Sequence, residues 1–196
     1  MIVNIGKTRR TAALGAAVLG TGLALTLGTL SPAAAGPATG APVSAEPRAI
    51  TTARVSLRLA ADAGQAADVA GASTANGAEV IQWAASRDDN QRWELTPTSN
   101  GYHTVKAVHS GKCLNVENDD PEDGARIIQW TCGTDANEQW KLVPAGIGYQ
   151  LVVRSTGKCL NVEYGVGQGN RLIQYTCTPG GADNDVWLAV VENSGS

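Results

Sequence analysis

Trp93, Trp140 and Trp187 stand 47 residues apart and then 47 again, each with Asn three places before it, and this recurrence limits the possible folds more than any other feature of the chain. The surrounding segments are Asp88-Asp89-Asn90-Gln91-Arg92-Trp93, Ala136-Asn137-Glu138-Gln139-Trp140 and Asp183-Asn184-Asp185-Val186-Trp187. Two earlier blocks recur in the same order. One reads Val80-Ile81-Gln82-Trp83, then Ile127-Ile128-Gln129-Trp130, then Leu172-Ile173-Gln174-Tyr175. The other reads Ala66-Ala67-Asp68-Val69, then Cys113-Leu114-Asn115-Val116-Glu117, then Cys159-Leu160-Asn161-Val162-Glu163. Such a pattern is an internal repeat. A repeat this short cannot bury its own apolar face, so three must close around a common core. That core must be built from Leu, Ile, Val and Trp, because the 196 residues include no Phe.

Within each repeat the residue pattern predicts strands and almost no helix. Segments 55–59, 102–108 and 149–154 are alternating or β-branched, and each runs into a turn bearing Gly64, Gly111 or Gly157. The next strand carries the Asp68, Asn115 or Asn161 block, the third carries Ile-Gln and its aromatic residue, and a fourth leads out through the repeated Trp. Four strands per repeat predict twelve strands in roughly 140 residues. The period by itself does not choose between a propeller and another repeat barrel. Trp93, Trp140 and Trp187 are expected as core anchors. Side chains alternate along a strand, so Gln82, Gln129 and Gln174 should point away from the neighbouring aromatic and be buried and hydrogen-bonded.

The N-terminus follows a different logic. Lys7, Arg9 and Arg10 precede an uncharged run at 11–30, and Ser31-Pro32-Ala33-Ala34-Ala35 offers small residues for cleavage, which reads as a secretory signal peptide over 1–35. The run approaches bilayer-spanning length, so a membrane anchor is the competing reading. Its Ala, Gly and Thr content and the adjoining small-residue site favour removal. Arg9-Arg10 leaves general or twin-arginine export open. Residues 36–48 are rich in Gly, Pro, Ala and Ser and predict a disordered linker. The mature protein is thus expected to be extracellular and free of the membrane after cleavage. It keeps 12 basic against 18 acidic side chains, a net charge near −6 with no basic patch, which argues against nucleic acid as a partner.

Export places the four cysteines where disulfides persist. Cys113 and Cys132 occupy the same two repeat positions as Cys159 and Cys177, and the first repeat has Ala66 and Ala85 there. Both members of the pair are missing together, so the expected bonds are Cys113–Cys132 and Cys159–Cys177. No Cys-x-x-Cys is present, and His103 and His109 sit on no zinc spacing. The acidic run 117–123 lacks the alternation of a calcium loop. No metal and no cofactor are expected. There is no Gly-x-Ser-x-Gly, no His with a placed nucleophile and no recurrent carboxylate pair, so the chain is read as non-enzymatic.

Gly-Lys-Cys-Leu-Asn-Val, Ile-Gln-Trp-Thr-Cys and Asn-x-x-Trp in series resemble the ricin B-type lectin family, over residues 49–191 with repeats at about 49–98, 99–145 and 146–191. The resemblance implies an all-β fold, a β-trefoil of three four-stranded repeats with threefold pseudosymmetry and up to one sugar pocket per repeat. A pyranose offers an apolar C–H face and a rim of hydroxyls, which suits an aromatic surface flanked by carboxylate and amide groups. Carried over by the family's pattern, the carbohydrate-binding candidates are Asp68, Trp83, Asn90 and Gln91 in the first repeat. The second offers Asn115, Trp130 and Asn137, and the third Asn161, Tyr175 and Asn184.

The later repeats depart from the pattern. Asn115 and Asn161 stand where a carboxylate is usual, and Glu138 and Asp185 replace Gln91. Glu117 and Glu163, two residues further along the strand, face the same side and could carry a displaced carboxylate. The expected partner is a galactose-, xylose- or mannose-type glycan or polysaccharide. A trefoil with decayed sugar sites, acting as a protein-binding inhibitor or adhesin, is the rival reading. Asp68, Trp83, Asn90 and Gln91 favour the lectin; Asn115 and Asn161 favour decay.

Overall fold

Short apolar runs broken by glycine turns become twelve strands in the computed structural model, which describes residues 52–191. The predicted signal peptide (1–35) and linker (36–48) lie outside the described residues. The first repeat contains β1 (Ala53–Leu59), β2 (Gln65–Val69), β3 (Val80–Ala84) and β4 (Arg92–Pro97). The second contains β5 (His103–Ala107), β6 (Cys113–Val116), β7 (Ile127–Trp130) and β8 (Gln139–Ala145), and the third β9 (Gly148–Val153), β10 (Cys159–Val162), β11 (Leu172–Tyr175) and β12 (Trp187–Val191). Among the described residues the helical content is limited to single 3-10 turns, such as Asp89–Gln91 and Ala136–Glu138.

Strand pairing decides between the architectures the period left open. β1 pairs with β4, β4 with β5, β5 with β8, β8 with β9, β9 with β12, and β12 returns to β1, all antiparallel. The result is a closed six-stranded barrel, which removes the exposed edges that an open sheet would leave. The other strands form the hairpins β2–β3, β6–β7 and β10–β11. Single bridges at Glu79↔Ile128, Arg126↔Ile173 and Ile81↔Arg171 join these hairpins into a triangular cap. Because the barrel interleaves strands of neighbouring repeats, a propeller of separate blades is excluded. The fold is a β-trefoil.

The core lies inside the barrel and beneath the cap. Leu57 and Leu59, Val105 and Ala107, and Leu151 and Val153 alternate inward from the first strand of each repeat and are buried. Trp93, Trp140 and Trp187 are fully buried, as their recurrence predicts. Each indole Nε1–H donates to a hairpin carbonyl of its own repeat, at Ala67 (3.2 Å), Leu114 (2.9 Å) and Leu160 (3.0 Å). The large ring fills the core while its polar atom ties barrel to cap, so none of these three buried indole donors is left unpaired.

Gln82, Gln129 and Gln174 are fully buried and lock the three hairpins into a ring. Gln129 Nε2 donates to the Ser73 and Ala75 carbonyls of the first hairpin loop, and Gln174 Nε2 to the Asp120 and Glu122 carbonyls of the second. Their Oε1 atoms accept from Ser110 and Thr156 hydroxyls at 2.7 and 2.8 Å. Gln82 closes the circle by accepting from Gly167 N of the third loop at 3.1 Å, but its Nε2 has no partner. The first repeat has Ala63 at the position of Ser110 and Thr156, which removes the hydroxyl. Backbone bonds repeat the scheme, since Gly77, Gly124 and Gly169 donate to the carbonyls of Gln129, Gln174 and Gln82. All three glycines have φ between 81° and 90°, which explains glycine at each tip.

The bonds Cys113–Cys132 and Cys159–Cys177 are formed, closing separations of 19 and 18 residues. Loops of this length stabilise by about 3 kcal/mol each in the chain-entropy account. Two disulfides fit an exported protein. Among the described residues no helix is long and apolar enough to cross a membrane.

Candidate functional site

Each hairpin places its aromatic residue at the end of its second strand, where burial stops. Trp83 is 43% exposed, Trp130 46% and Tyr175 48%, although the Gln before each is fully buried. Alternation on the strand thus turns the Gln into the cap and the ring to the surface. The 3-10 turn or tight turn ahead of the last strand brings Asn90, Asn137 or Asn184 against the hairpin. The Nδ2 of Asn90 donates to Asp68 Oδ2 (2.9 Å) and the Val69 carbonyl (3.2 Å). Asn137 does the same with Asn115 Oδ1 (3.1 Å) and Val116 O (3.0 Å), and Asn184 with Asn161 Oδ1 (2.8 Å) and Val162 O (3.1 Å).

The structure therefore assembles every candidate triplet within its own repeat. Asp68, Trp83, Asn90 and Gln91 line a pocket of about 1010 Å³, together with Ile81, Ser86 and His109. Asn115, Trp130 and Asn137 line one of about 380 Å³, with Glu117, Asn118 and Glu138. Asn161, Tyr175 and Asn184 line one of about 420 Å³, with Glu163 and Tyr164.

The floors of the pockets differ in one consistent way. In the first, Gln91 is 2% exposed; its Nε2 donates to Asp68 Oδ2 (2.8 Å) and the Ala84 carbonyl (2.9 Å), while its Oε1 accepts from Ser86 N (2.6 Å). All its polar atoms are engaged, so Gln91 fixes Asp68 from below. Both amides converge on Oδ2, and no bond from a described residue reaches Asp68 Oδ1. In the second pocket the acid and the amide have exchanged places. Glu138 is 2% exposed, accepts from Gly133 N at 2.7 Å and lies beside Asn115. The third has Asp185 at this position, fully buried and held by Ala182 N, Thr178 N and Gln150 Nε2 at 2.6, 3.1 and 2.9 Å.

Asn115 is thus the visible half of an exchange, with the carboxylate moved behind the amide; in the third repeat Asp185 takes the position of Gln91 but is held by Gln150 and backbone amides rather than by Asn161. A carboxylate only accepts, so the first floor offers acceptor capacity alone. An amide gives and takes, so the other two floors can do both. Burial raises the pKa of Asp68, opposed by the hydrogen bonds from Gln91 and Asn90. Burial likewise raises that of Glu138, opposed chiefly by the Gly133 amide.

Glu117 does line the second pocket, but Arg126 grips it through Nε (2.7 Å) and Nη2 (2.8 Å). Arg126 also reaches Glu79 at 3.1 Å, which Arg171 approaches at 3.4 Å, so the carboxylate sits in a surface ion-pair chain. Glu163 lines the third pocket. His109 and Tyr164 also line pockets and were not among the sequence candidates. His109 comes from the second repeat yet lines the first pocket, its Nε2 2.9 Å from the Ser73 carbonyl. Tyr164 joins Tyr175 in lining the third. Among the described residues no group of His, Cys, Asp and Glu is placed to hold a metal ion.

The family model described as ricin-type beta-trefoil lectin domain-like matches residues 50–106 and 89–175. The chain belongs to this family. Among solved structures it is similar to the designed threefold-symmetric protein ThreeFoil, at 42% identity and TM-score 0.67 over 71% of this chain and 99% of that one. It is also similar to an exo-β-1,3-galactanase from Clostridium thermocellum, at 29% identity and TM-score 0.66 over 72% of this chain and 31% of that one. The Rhizoctonia solani agglutinin shares the fold at 19% identity, with TM-score 0.64 over 75% of this chain and 100% of that one. No curated protein matches the chain. Membership of a lectin-type family supports carbohydrate binding for this ricin B-like domain.

Proposed function

We propose that the mature chain is a secreted, non-enzymatic carbohydrate-binding domain whose hairpin pockets each take one sugar residue of a glycan or polysaccharide. The observation that carries this reading is the threefold recurrence of a half-exposed aromatic ring beside a hydrogen-bonded amide or carboxylate floor. Trp83, Trp130 and Tyr175 stack against the apolar face of the sugar. Asp68 Oδ1, and the amides of Asn115 and Asn161, meet its hydroxyls. Asn90, Asn137, Asn184 and Gln91 hold these groups in place. A single shallow pocket of this kind binds at about the millimolar level, near 4 kcal/mol, and retention on a polymer comes from engaging several at once. Deep burial of Asn115 and Asn161, each hydrogen-bonded by the Asn of its own repeat, argues for retained floors over decayed ones.

The galactanase similarity puts β-1,3-galactan first among the polymers to test, followed by xylan and mannan. The test is pull-down of the mature protein on these insoluble polysaccharides together with a glycan array, comparing wild type with Trp83→Ala/Trp130→Ala/Tyr175→Ala. Wild-type retention lost in the triple variant supports the reading. Absence of retention on every matrix, or equal retention of both proteins, refutes it.

A further inference from the structure

We propose that Tyr164 is a second stacking platform in the third pocket, so that this pocket binds two adjacent units of a sugar chain rather than one. The proposal rests on the carbohydrate-binding reading above and adds a specificity-determining residue to it. Three observations meet at this side chain. Tyr164 lines the same pocket as Tyr175, Asn161 and Asn184. It is 91% exposed, the most exposed large hydrophobic residue in the described structure, and buries almost nothing against the protein. Its backbone has φ 61°, a left-handed conformation that side chains with a Cβ adopt at a cost.

Comparison of the repeats shows that the conformation belongs to the fold and the ring does not. Gly71 and Asn118 occupy the equivalent positions at φ 61° and 56°. Glycine and asparagine are the residues that tolerate this region, and a bulky residue there is an outlier. A tyrosine that is strained, unburied and without a hydrogen bond or ring contact to any described residue gains nothing for stability. Strain held without structural return is the pattern expected at a ligand contact.

The stem that carries the ring is fixed. Glu163 N donates to the Arg171 carbonyl at 2.9 Å, Gly165 N to the Val162 carbonyl at 3.2 Å, and Asn170 Nδ2 to the Gly165 carbonyl at 3.0 Å. Tyr164 therefore needs little loop ordering to meet a ligand, which keeps the entropic cost of binding low. Tyr175 with the Asn161–Asn184 floor receives one sugar, as in the other repeats. The apolar face of the next unit lies against Tyr164. The first and second pockets, with Gly71 and Asn118 at this place, have no second ring there.

The test uses the mature protein and Tyr164→Asn, which installs the second repeat's residue and removes both the ring and the strain. Side-chain amide resonances of Asn161 and Asn184 report the third pocket separately during titration with galactose, xylose and mannose and with their β-linked trisaccharides. The proposal expects Tyr164→Asn to weaken trisaccharide binding at the third pocket by about three- to tenfold, the usual worth of one aromatic stack. Monosaccharide affinity there and trisaccharide affinity at the first pocket should not change, and the thermal midpoint should be no lower than in wild type. Equal loss of monosaccharide and trisaccharide binding, or a lowered midpoint with an unchanged affinity ratio, overturns it. So does a wild-type third pocket that binds trisaccharides no better than monosaccharides, which leaves the lectin reading intact. No response at any pocket to any of these sugars overturns both.

Discussion

Replacing Asn115 by Asp tests whether the floors of the pockets are paired acid with amide, as the exchange between repeats indicates. In the wild type the neutral amide of Asn115 lies beside buried Glu138. The variant puts two carboxylates there. At about 4 Å and an effective dielectric near 20 their repulsion is on the order of 4 kcal/mol. The pair can escape by keeping one proton, as like charges sharing a site do. From the ordinary glutamate value of 4.5, holding that proton at pH 7 costs at most about 3.4 kcal/mol. Burial already raises the pKa of Glu138, so the cost falls below this ceiling, and a loss of about 2–3 kcal/mol is expected at pH 7. Once protonated, Glu138 can donate to the new carboxylate at position 115, so the loss should shrink towards zero near pH 4. Asn115→Asp/Glu138→Gln recreates the first repeat's Asp68–Gln91 pair and should recover most of the stability, giving a coupling of about 2 kcal/mol in a double-mutant cycle. Urea unfolding of wild type, the two single variants and the double variant at pH 7 and pH 4 measures all of this. A cost that is the same at both pH values, or a double variant no better than Asn115→Asp alone, would refute the pairing.

Trp140→Ala should cost about 3–5 kcal/mol in thermal or urea unfolding, whereas Trp130→Ala should cost under about 1 kcal/mol and act on binding instead, since one ring fills the core and the other faces solvent. Asp68 has a raised folded pKa, so its contribution to stability is greatest below its unfolded value of 3.8 and is lost as pH rises through the folded one. Sugar binding at the first pocket should run the opposite way, weakening on acidification through that raised value as Oδ1 ceases to be a charged acceptor; titrations between pH 7 and pH 4 check this. Ala63→Ser should supply the hydroxyl that Gln82 Nε2 lacks and raise stability by about 1 kcal/mol, measured as a shift in the urea midpoint.

Much of the fold was legible because it is repeated. Trp93, Trp140 and Trp187 marked a period, Gln82, Gln129 and Gln174 marked a buried face by strand alternation, and the joint absence of Cys from the positions of Ala66 and Ala85 marked the disulfide pairs. The family resemblance then supplied the β-trefoil and its pocket residues. Periodicity could not by itself choose a barrel over a propeller, because that choice lies in which repeat each strand pairs with. Asn115 and Asn161 read in isolation suggested loss of a site. The aligned repeats already showed Glu138 and Asp185 in place of Gln91, but only the fold laid Asn115 against Glu138, more than twenty positions away.

Comparison of aligned repeats did contain a signal for Tyr164, since it replaces Gly71 and Asn118, but nothing in a linear sequence states that the position has a positive φ or that the ring lies at the pocket wall. His109 left no signal at all, because its pocket belongs to the preceding repeat. The sequence by itself determined what each repeat must bury and which residues recur at its surface, since burial and alternation are local properties of a strand. Tertiary structure alone decided which neighbours those residues meet, because hydrogen bonds and pocket walls form between segments that closure of the barrel and cap brings together.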